Sequence, residues 1–369
     1  MHIAYAVRRV SPLTGVGRVL GSIIPLLTAQ GHEVTILSHR GGMGRLPEGA
    51  RLVSVPMLPW PSWVRAFSFD VWSRRKACRL APDILHGQGD LTRQDVLTVN
   101  NCDRAAAYYV PDGRKPSSGT AFIRSRQFRP GAAKRILAVS RLVSEDLESF
   151  YGVSSPRVEV VYPGVDLHRF SSEKRDSVRL EWARQWGLPQ ETFYFISVLS
   201  GDPSKRNLNG LLTAFAGLHH SRPHQLLVMG PASLASQYPL AGSLERAGKL
   251  RFLPVGSGVE HYLAGADLYL LCAHYEEFGL PVLEAMASGC PALTSSRSGA
   301  AEIVHPNEDG WHLENPASTD EIRFWMERAL ETSMSDCNRM RARARQTAQS
   351  YSWGRMVENL LRIYREAAI

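Results

Sequence analysis

Glu276 and Glu284 stand eight positions apart in DLYLLCAHYEEFGLPVLEAMASGCP (267–291), on either side of a Phe-Gly-Leu-Pro turn. An ionised carboxylate accepts several strong hydrogen bonds and suits the hydroxyls of a polyol. The residues between the two offer different chemistry. Phe278, Gly279 and Leu280 lie where an apolar run gives way to a helix led by Pro281. The free N–H groups of a helix N-terminus are a natural seat for phosphate. Two carboxylates would repel a bare anion, so a phosphate seat flanked by them fits a ligand with both phosphates and hydroxyl-rich rings, a sugar nucleotide. A helix cap beside a surface acid would read the same way, and this spacing alone does not separate the two.

Such residues need a frame. Asp267–Cys272 is a short apolar run between turn formers and reads as a buried parallel strand. Pro281–Ser288 reads as the following helix, with Gly289 just past its end. Glu276 is expected on the loop and Glu284 in the first helical turn, both facing the crevice where open α/β sheets bind ligands. Upstream, Ile3–Val7, Val34–Leu37, Leu52–Val55, Ile84–His86, Val96–Val99, Ile136–Val139 and Val158–Val161 read as strands alternating with helical stretches. Gly31 should close the first helix, which Pro25 should kink. Ser140 should cap Arg141–Phe150, with Gly152 as its stop. After a polar junction at 163–176 the pattern restarts with Phe193–Val198, Leu226–Met229, Leu250–Leu253, Asp267–Cys272, Ala292–Thr294 and Gly310–Leu313. The expectation is α/β throughout: two Rossmann-like domains, 1–166 and 177–351, and a last helix over Arg355–Ala367.

Several stretches carry a family likeness in order along the chain. EEFGLPVLEAMASGCP holds Glu276-x7-Glu284, ILAVSRLVSEDL spans 136–147, YPGVDLHRF spans 162–170 and SWGRMVENLLRIY spans 352–364. Together they resemble the retaining GT-B glycosyltransferases of family 4, with the E-x7-E signature, over nearly the whole chain. The resemblance implies two facing domains with a cleft between them, and a C-terminal helix (352–369) that returns to the first. It also implies a retaining glycosyl transfer from a nucleotide sugar, UDP-linked, to a saccharide or lipid-linked acceptor, in assembly of cell-surface polysaccharide, lipopolysaccharide or glycolipid.

Roles follow the same likeness. Glu284 would hold the ribose hydroxyls, Glu276 the donor sugar, and the N–H groups of Phe278, Gly279 and Leu280 the sugar or phosphates. Gly15 and Gly17 would form the glycine-rich loop ahead of the first long helix and approach donor phosphates or acceptor. SGDPSKRN (200–207) lacks the family's usual arginine. Counting back from Ala214 puts Arg206 at the family's lysine position, with Lys205 beside it, and either cation can pair with phosphate. Asn100 stands where relatives carry a histidine, and can bond a sugar hydroxyl without donating a catalytic proton. His86 is a sugar or acceptor contact at a strand end, or a satisfied structural histidine. Glu302 matches a family glutamate read as structural. The base would be read through main chain near Pro254–Gly256, with Val255 at the donor. No Asp-x-Asp occurs, so no metal and no cofactor beyond the nucleotide sugar is expected.

Other readings of these residues are weaker. Gly15, Gly17 and Gly21 with Arg40 resemble an NADP fingerprint, but Arg8–Thr14 separates the strand from the first glycine, which a dinucleotide fold needs in the tight turn. A nucleotide-sugar epimerase lacks support from these motifs. A non-catalytic sugar-nucleotide-binding partner of the same fold would agree with the missing arginine and Asn100, and less well with the intact glutamate pair.

Composition narrows the setting. The chain has 369 residues, 44% of them hydrophobic, enough for two cores. No apolar run approaches the ~18 residues of a membrane span, and residues 2–7 lack the flanks of a signal peptide. The five cysteines include no C-x-x-C, a reducing pattern that points to the cytoplasm. The net charge of +8 is lopsided: residues 1–166 hold 22 Lys+Arg against 13 Asp+Glu, whereas the rest is nearly balanced. Within the basic half, Trp60, Trp63, Phe67, Phe69 and Trp72 interleave with Arg65, Arg74, Arg75, Lys76 and Arg79. Such text suits an interfacial segment on the anionic inner face of a membrane, stacking on single-stranded nucleic acid, or an ordinary amphipathic helix. With the family likeness, a membrane-linked or phosphate-bearing acceptor is expected and nucleic acid is not.

Overall fold

A computed structural model describes residues 1–12, 14–39, 46–111, 113, 115–154, 157–187, 189–199, 202–231, 233–254 and 258–368. Among these residues the chain divides into two compact units. One comprises Met1–Tyr108, Asp112–Gly164 and Trp353–Ile369; the other comprises Tyr109–Pro111 and Val165–Ser352.

The first unit is built on seven parallel strands: β1 (His2–Ala6), β2 (Glu33–Ser38), β3 (Ala50–Ser54), β4 (Ile84–Gly87), β5 (Gln94–Val99), β6 (Ala133–Ala138) and β7 (Val158–Val160), in the order β3-β2-β1-β4-β5-β6-β7. The second has β8 (Phe193–Val198), β9 (His224–Met229), β10 (Leu250–Leu253), β11 (Leu268–Leu271), β12 (Ala292–Ser295) and β13 (Gly310–Leu313), in the order β10-β9-β8-β11-β12-β13. In each sheet the strand order reverses beside its first strand, between β1 and β4 and between β8 and β11. Ligands of open α/β sheets bind at the carboxyl ends of strands flanking such a reversal. Central strands such as FYFISV of β8 are buried at every position, as a sheet covered by helices on both faces requires.

Local signals account for the helices around the site. Helix Leu280–Ala287 carries Pro281 in its first turn and is buried at every position, which befits an element apolar all round. Ser140 caps helix Arg141–Tyr151 by accepting from Val143 N–H. Pro25 lies inside helix Gly15–Ala29 without ending it.

The C-terminal helix, Trp353–Ala367, belongs to the first unit and buries Met356, Val357, Leu360, Leu361, Ile363, Tyr364 and Ala367 along one face. A buried polar chain fixes it to the sheet: Tyr5 OH meets Tyr364 OH at 2.7 Å, and the same Tyr364 oxygen meets His86 Nδ1 at 2.7 Å. His86 Nε2 closes the chain on Thr98 Oγ1 at 2.7 Å. Buried polar atoms need such partners, and a fully satisfied network rigidifies its surroundings.

Candidate functional site

At the reversal in the second sheet, the loops after β8 and β11 meet. The first is shaped by its own turn formers. Asp202 accepts from Ser204 N–H at 2.9 Å, and Asn207 caps helix Leu208–Ala216 by accepting from Gly210 N–H at 3.1 Å. Between these anchors stand Lys205 and Arg206. The Lys205 carbonyl accepts from His274 N–H at 3.0 Å and ties this loop to the other.

The second loop is pinned along its length by residues that follow β12. Glu276 N–H donates to the Arg297 carbonyl at 2.9 Å, and Gly299 N–H donates back to Glu276 at 3.0 Å. The Phe278 carbonyl accepts from Ala300 N–H at 2.7 Å and from Ser298 Oγ at 2.8 Å. Gly279 turns the chain into the helix at φ +99°, where a Cβ would also press on Leu271 at 3.0 Å and Ser298 at 3.3 Å. Only glycine meets both demands there.

This scaffold brings opposite charges together in pairs. Lys205 Nζ lies 2.5 Å from Glu277 Oε2, and Arg206 Nη2 lies 3.0 Å from Glu276 Oε2. Arg206, Glu277 and Glu284 are all buried. Burial pushes the Lys205 ammonium down, but Glu277 and then Glu276 outweigh it and hold its pKa above the ordinary lysine value. Lys205 also sits 5.3 Å above the ring of buried Tyr275, which stacks on Tyr109. Tyr269, buried at the base, feels Arg206, Glu284 and Glu276 at once; burial chiefly raises its hydroxyl pKa, Arg206 opposes the rise, and the two carboxylates add to it. The structure thus gathers Glu276, Glu284, Arg206 and Lys205 with Phe278, Gly279 and Leu280 about one loop and one helix N-terminus.

Several expectations change. Glu284 is the fifth residue of helix Leu280–Ala287, so it lies in the second turn rather than the first. Its carboxylate is therefore placed by side-chain direction, toward the helix N-terminus, and not by the cap. His86 is no ligand contact. It is 1% exposed in the interior of the first unit, both ring nitrogens are engaged, and burial pushes its pKa down to about 3.

Gly15 and Gly17 are not in a loop but are the first and third residues of helix Gly15–Ala29, capped by Thr14. Gly17 has a packing role, since a Cβ there would lie 1.8 Å from the Ser11 carbonyl oxygen, while Gly15 has open space. Asn100, half-buried, donates to Gln88 Oε1 at 3.0 Å. Val255 lies outside the described residues. Glu277 went unnoticed as a partner, because its pairing with Lys205 spans 72 positions of sequence. Among the described residues no group of His, Cys, Asp and Glu is arranged to hold a metal ion, and no helix is long and apolar enough to cross a membrane.

The two parallel-sheet α/β units have the GT-B fold. Residues 178–347 match the family model "Glycosyl transferases group 1", and residues 13–169 match "Glycosyltransferase Family 4". The chain belongs to this family of GT-B glycosyltransferases. It is 32% identical over 297 residues to a D-inositol 3-phosphate glycosyltransferase of Salinispora arenicola, a match over 75% of this chain and 63% of that relative's length. It is 23% identical over 341 residues to the lipopolysaccharide glucosyltransferase WaaG of Escherichia coli, covering 90% of each. The WaaG crystal structure superposes with a TM-score of 0.80 at 21% identity, over 97% of this chain and 98% of that one. Anabaena HepE, solved with UDP and glucose, superposes at 0.75 with 14% identity, over 98% of each chain.

Proposed function

We propose that the protein transfers a glycosyl group from a UDP-linked sugar to a saccharide or lipid-linked acceptor, with retention of configuration and without a metal ion. The observation that carries this reading is the pairing of Lys205 with Glu277 and of Arg206 with Glu276, next to the helix that carries buried Glu284, at the reversal of the second sheet. The second unit holds the donor. Glu284 takes the ribose hydroxyls and Glu276 a hydroxyl of the sugar, while Lys205, Arg206 and the helix N-terminus face the diphosphate. As the bond to the anomeric carbon breaks, negative charge grows on the departing diphosphate, and cations and N–H groups beside it lower the barrier.

The basic first unit receives the acceptor. Its helix Ser62–Leu80 and the segment before it expose Leu58, Trp60, Trp63, Phe67 and Trp72, with Arg65 and Arg75 exposed among them. That face suits contact with the anionic inner face of a membrane carrying a lipid-linked acceptor for polysaccharide, lipopolysaccharide or glycolipid assembly.

A panel of nucleotide sugars tests the reading, with sugar release to water and transfer to acceptor followed together. Turnover of at least one UDP sugar with an axial-to-axial or equatorial-to-equatorial product is expected. Binding without turnover of any donor would instead leave a non-catalytic binding protein.

A further inference from the structure

We infer that Glu277 is an internal competitor of the donor diphosphate for Lys205, and so sets how tightly the nucleoside diphosphate product is held. The inference rests on the donor-site reading above. Its geometric basis is the 2.5 Å contact between Lys205 Nζ and Glu277 Oε2, beside the parallel pair of Arg206 and Glu276 at 3.0 Å. In this arrangement each cation that would meet a diphosphate already faces a carboxylate.

The two pairs are not equivalent. The Arg206 side chain is 7% exposed and that of Lys205 21%, so the ammonium has the freer access to a ligand. An ammonium on a four-carbon stem also reorients among acceptors more easily than a guanidinium held in a planar fork. Glu277 has little room to move, since its side chain is 7% exposed and its backbone lies between residues pinned to Arg297, Gly299 and Ala300. A diphosphate entering beside the helix N-terminus therefore draws on the Lys205 ammonium against a carboxylate that already engages it. Charges in a partly buried site interact through an effective dielectric well below that of water, so this carboxylate weakens the gain from binding the anion. A weaker hold on the leaving product favours its release, the step that limits turnover in many well-evolved enzymes.

The test measures UDP binding by titration calorimetry in four proteins: wild type, Glu277→Gln, Lys205→Met and the double variant. Glu277→Gln keeps the shape and removes the charge. It is expected to bind UDP about tenfold more tightly, a change of about 1.4 kcal/mol, and to be inhibited by UDP at correspondingly lower concentration. In the Lys205→Met background the same substitution is expected to change affinity less than threefold.

Should Glu277→Gln not fold, Glu277→Ala and the salt dependence of wild-type binding supply the comparison. Masking predicts tighter binding in Glu277→Ala and a smaller loss of affinity with salt than two free cations would give. Unchanged or weaker UDP binding in the Glu277 variants would overturn the inference and make Glu277 a positioning residue for Lys205. A tenfold gain that persists without Lys205 would also overturn it, by assigning the effect to net charge alone. Absence of UDP binding in the wild type would overturn the donor-site reading itself.

Discussion

Arg206 Nη2 lies 3.0 Å from Glu276 Oε2, and this pair of a buried arginine and a half-buried carboxylate joins the loop after β8 to the loop after β11. Neither group reaches the other by local structure. The pair exists because the parallel sheet places β11 beside β8 and sends both loops off the same edge. Buried ion pairs are costly to break from one side, because the partner is left as an uncompensated charge.

Glu276→Gln and Glu284→Ala are each expected to lower kcat/KM by roughly tenfold to over a hundredfold, the range for losing a hydrogen bond to a charged group at about 1.5–3 kcal/mol. The glutamine keeps an oxygen for Arg206 and should cost less stability than an alanine. Steady-state kinetics and thermal melts on the same preparations check both halves. Near-wild-type turnover in both variants would remove these carboxylates from the reaction.

Gly17→Ala should fail to pack, since its Cβ would sit 1.8 Å from the Ser11 carbonyl oxygen, whereas Gly15→Ala meets open space. A drop in melting temperature is expected for the first alone. Any activity lost in Gly15→Ala at unchanged stability would then belong to ligand approach, and the pair of melts with kinetics separates the two.

Much of this arrangement was legible in the residues. Buried parallel strands are continuous apolar runs, so FYFISV and DLYLLC declared themselves without partners, and Pro281 and Ser288 bracketed the helix that follows. The loop at Glu276 could be placed because strand and helix on either side of it could be. Pairing across long separations was not legible. Lys205 with Glu277 and His86 with Tyr364 depend on which strands and helices become neighbours, 72 and 278 positions apart. His86 illustrates the limit: a histidine at a strand end reads as a ligand contact or as a satisfied structural group, and only the C-terminal helix that covers it decides for the second. The packing role of Gly17 was hidden for the same reason, because its neighbour is a carbonyl of the preceding loop and not a side chain.

His86 supplies a pH dependence. Burial pushes its folded pKa from 6.5 down to about 3, so the folded state keeps the ring neutral. Between those values the unfolded chain binds the extra proton, and stability falls as pH drops below 6.5; above 6.5 the contribution is fully present. The slope is about 1.4 kcal/mol per pH unit. Urea unfolding at pH 7 and pH 5 should show wild type losing about 2 kcal/mol more than His86→Gln, which has no proton to gain. Equal losses in both proteins would mean that His86 is not held neutral.

Activity is expected to persist in excess EDTA if, as proposed, Lys205 and Arg206 neutralise the departing diphosphate. Assay of transfer before and after chelation, and after added Mg²⁺ or Mn²⁺, decides it. Complete loss restored by metal would transfer the charge neutralisation from these side chains to an ion.

The first unit exposes an aromatic face along helix Ser62–Leu80 and the segment before it. Trp60 is 83% exposed and Trp63 49%, and Phe67 beside them packs edge-on against Phe122, over which Arg126 lies at 3.9 Å. Large apolar side chains left in water cost free energy that burial in a bilayer interface returns, and tryptophan favours that interface. Cations around them add about 1 kcal/mol each near anionic lipid, so two or three suffice for reversible docking that fades with salt. Arg65 and Arg75 are exposed and suited to this. Arg74 is not, because it pairs with buried Asp70, which also holds Thr92, and its loss would disturb the fold. Sedimentation with phosphatidylglycerol vesicles but not phosphatidylcholine vesicles is expected at low salt. Arg65→Glu with Arg75→Glu should reduce it several-fold, and Trp60→Ser with Trp63→Ser should reduce what remains at high salt, when charge is screened and only apolar insertion persists. Binding to single-stranded oligonucleotides in place of vesicles would assign the face to nucleic acid. Binding to neither would leave the basic unit facing a soluble anionic acceptor.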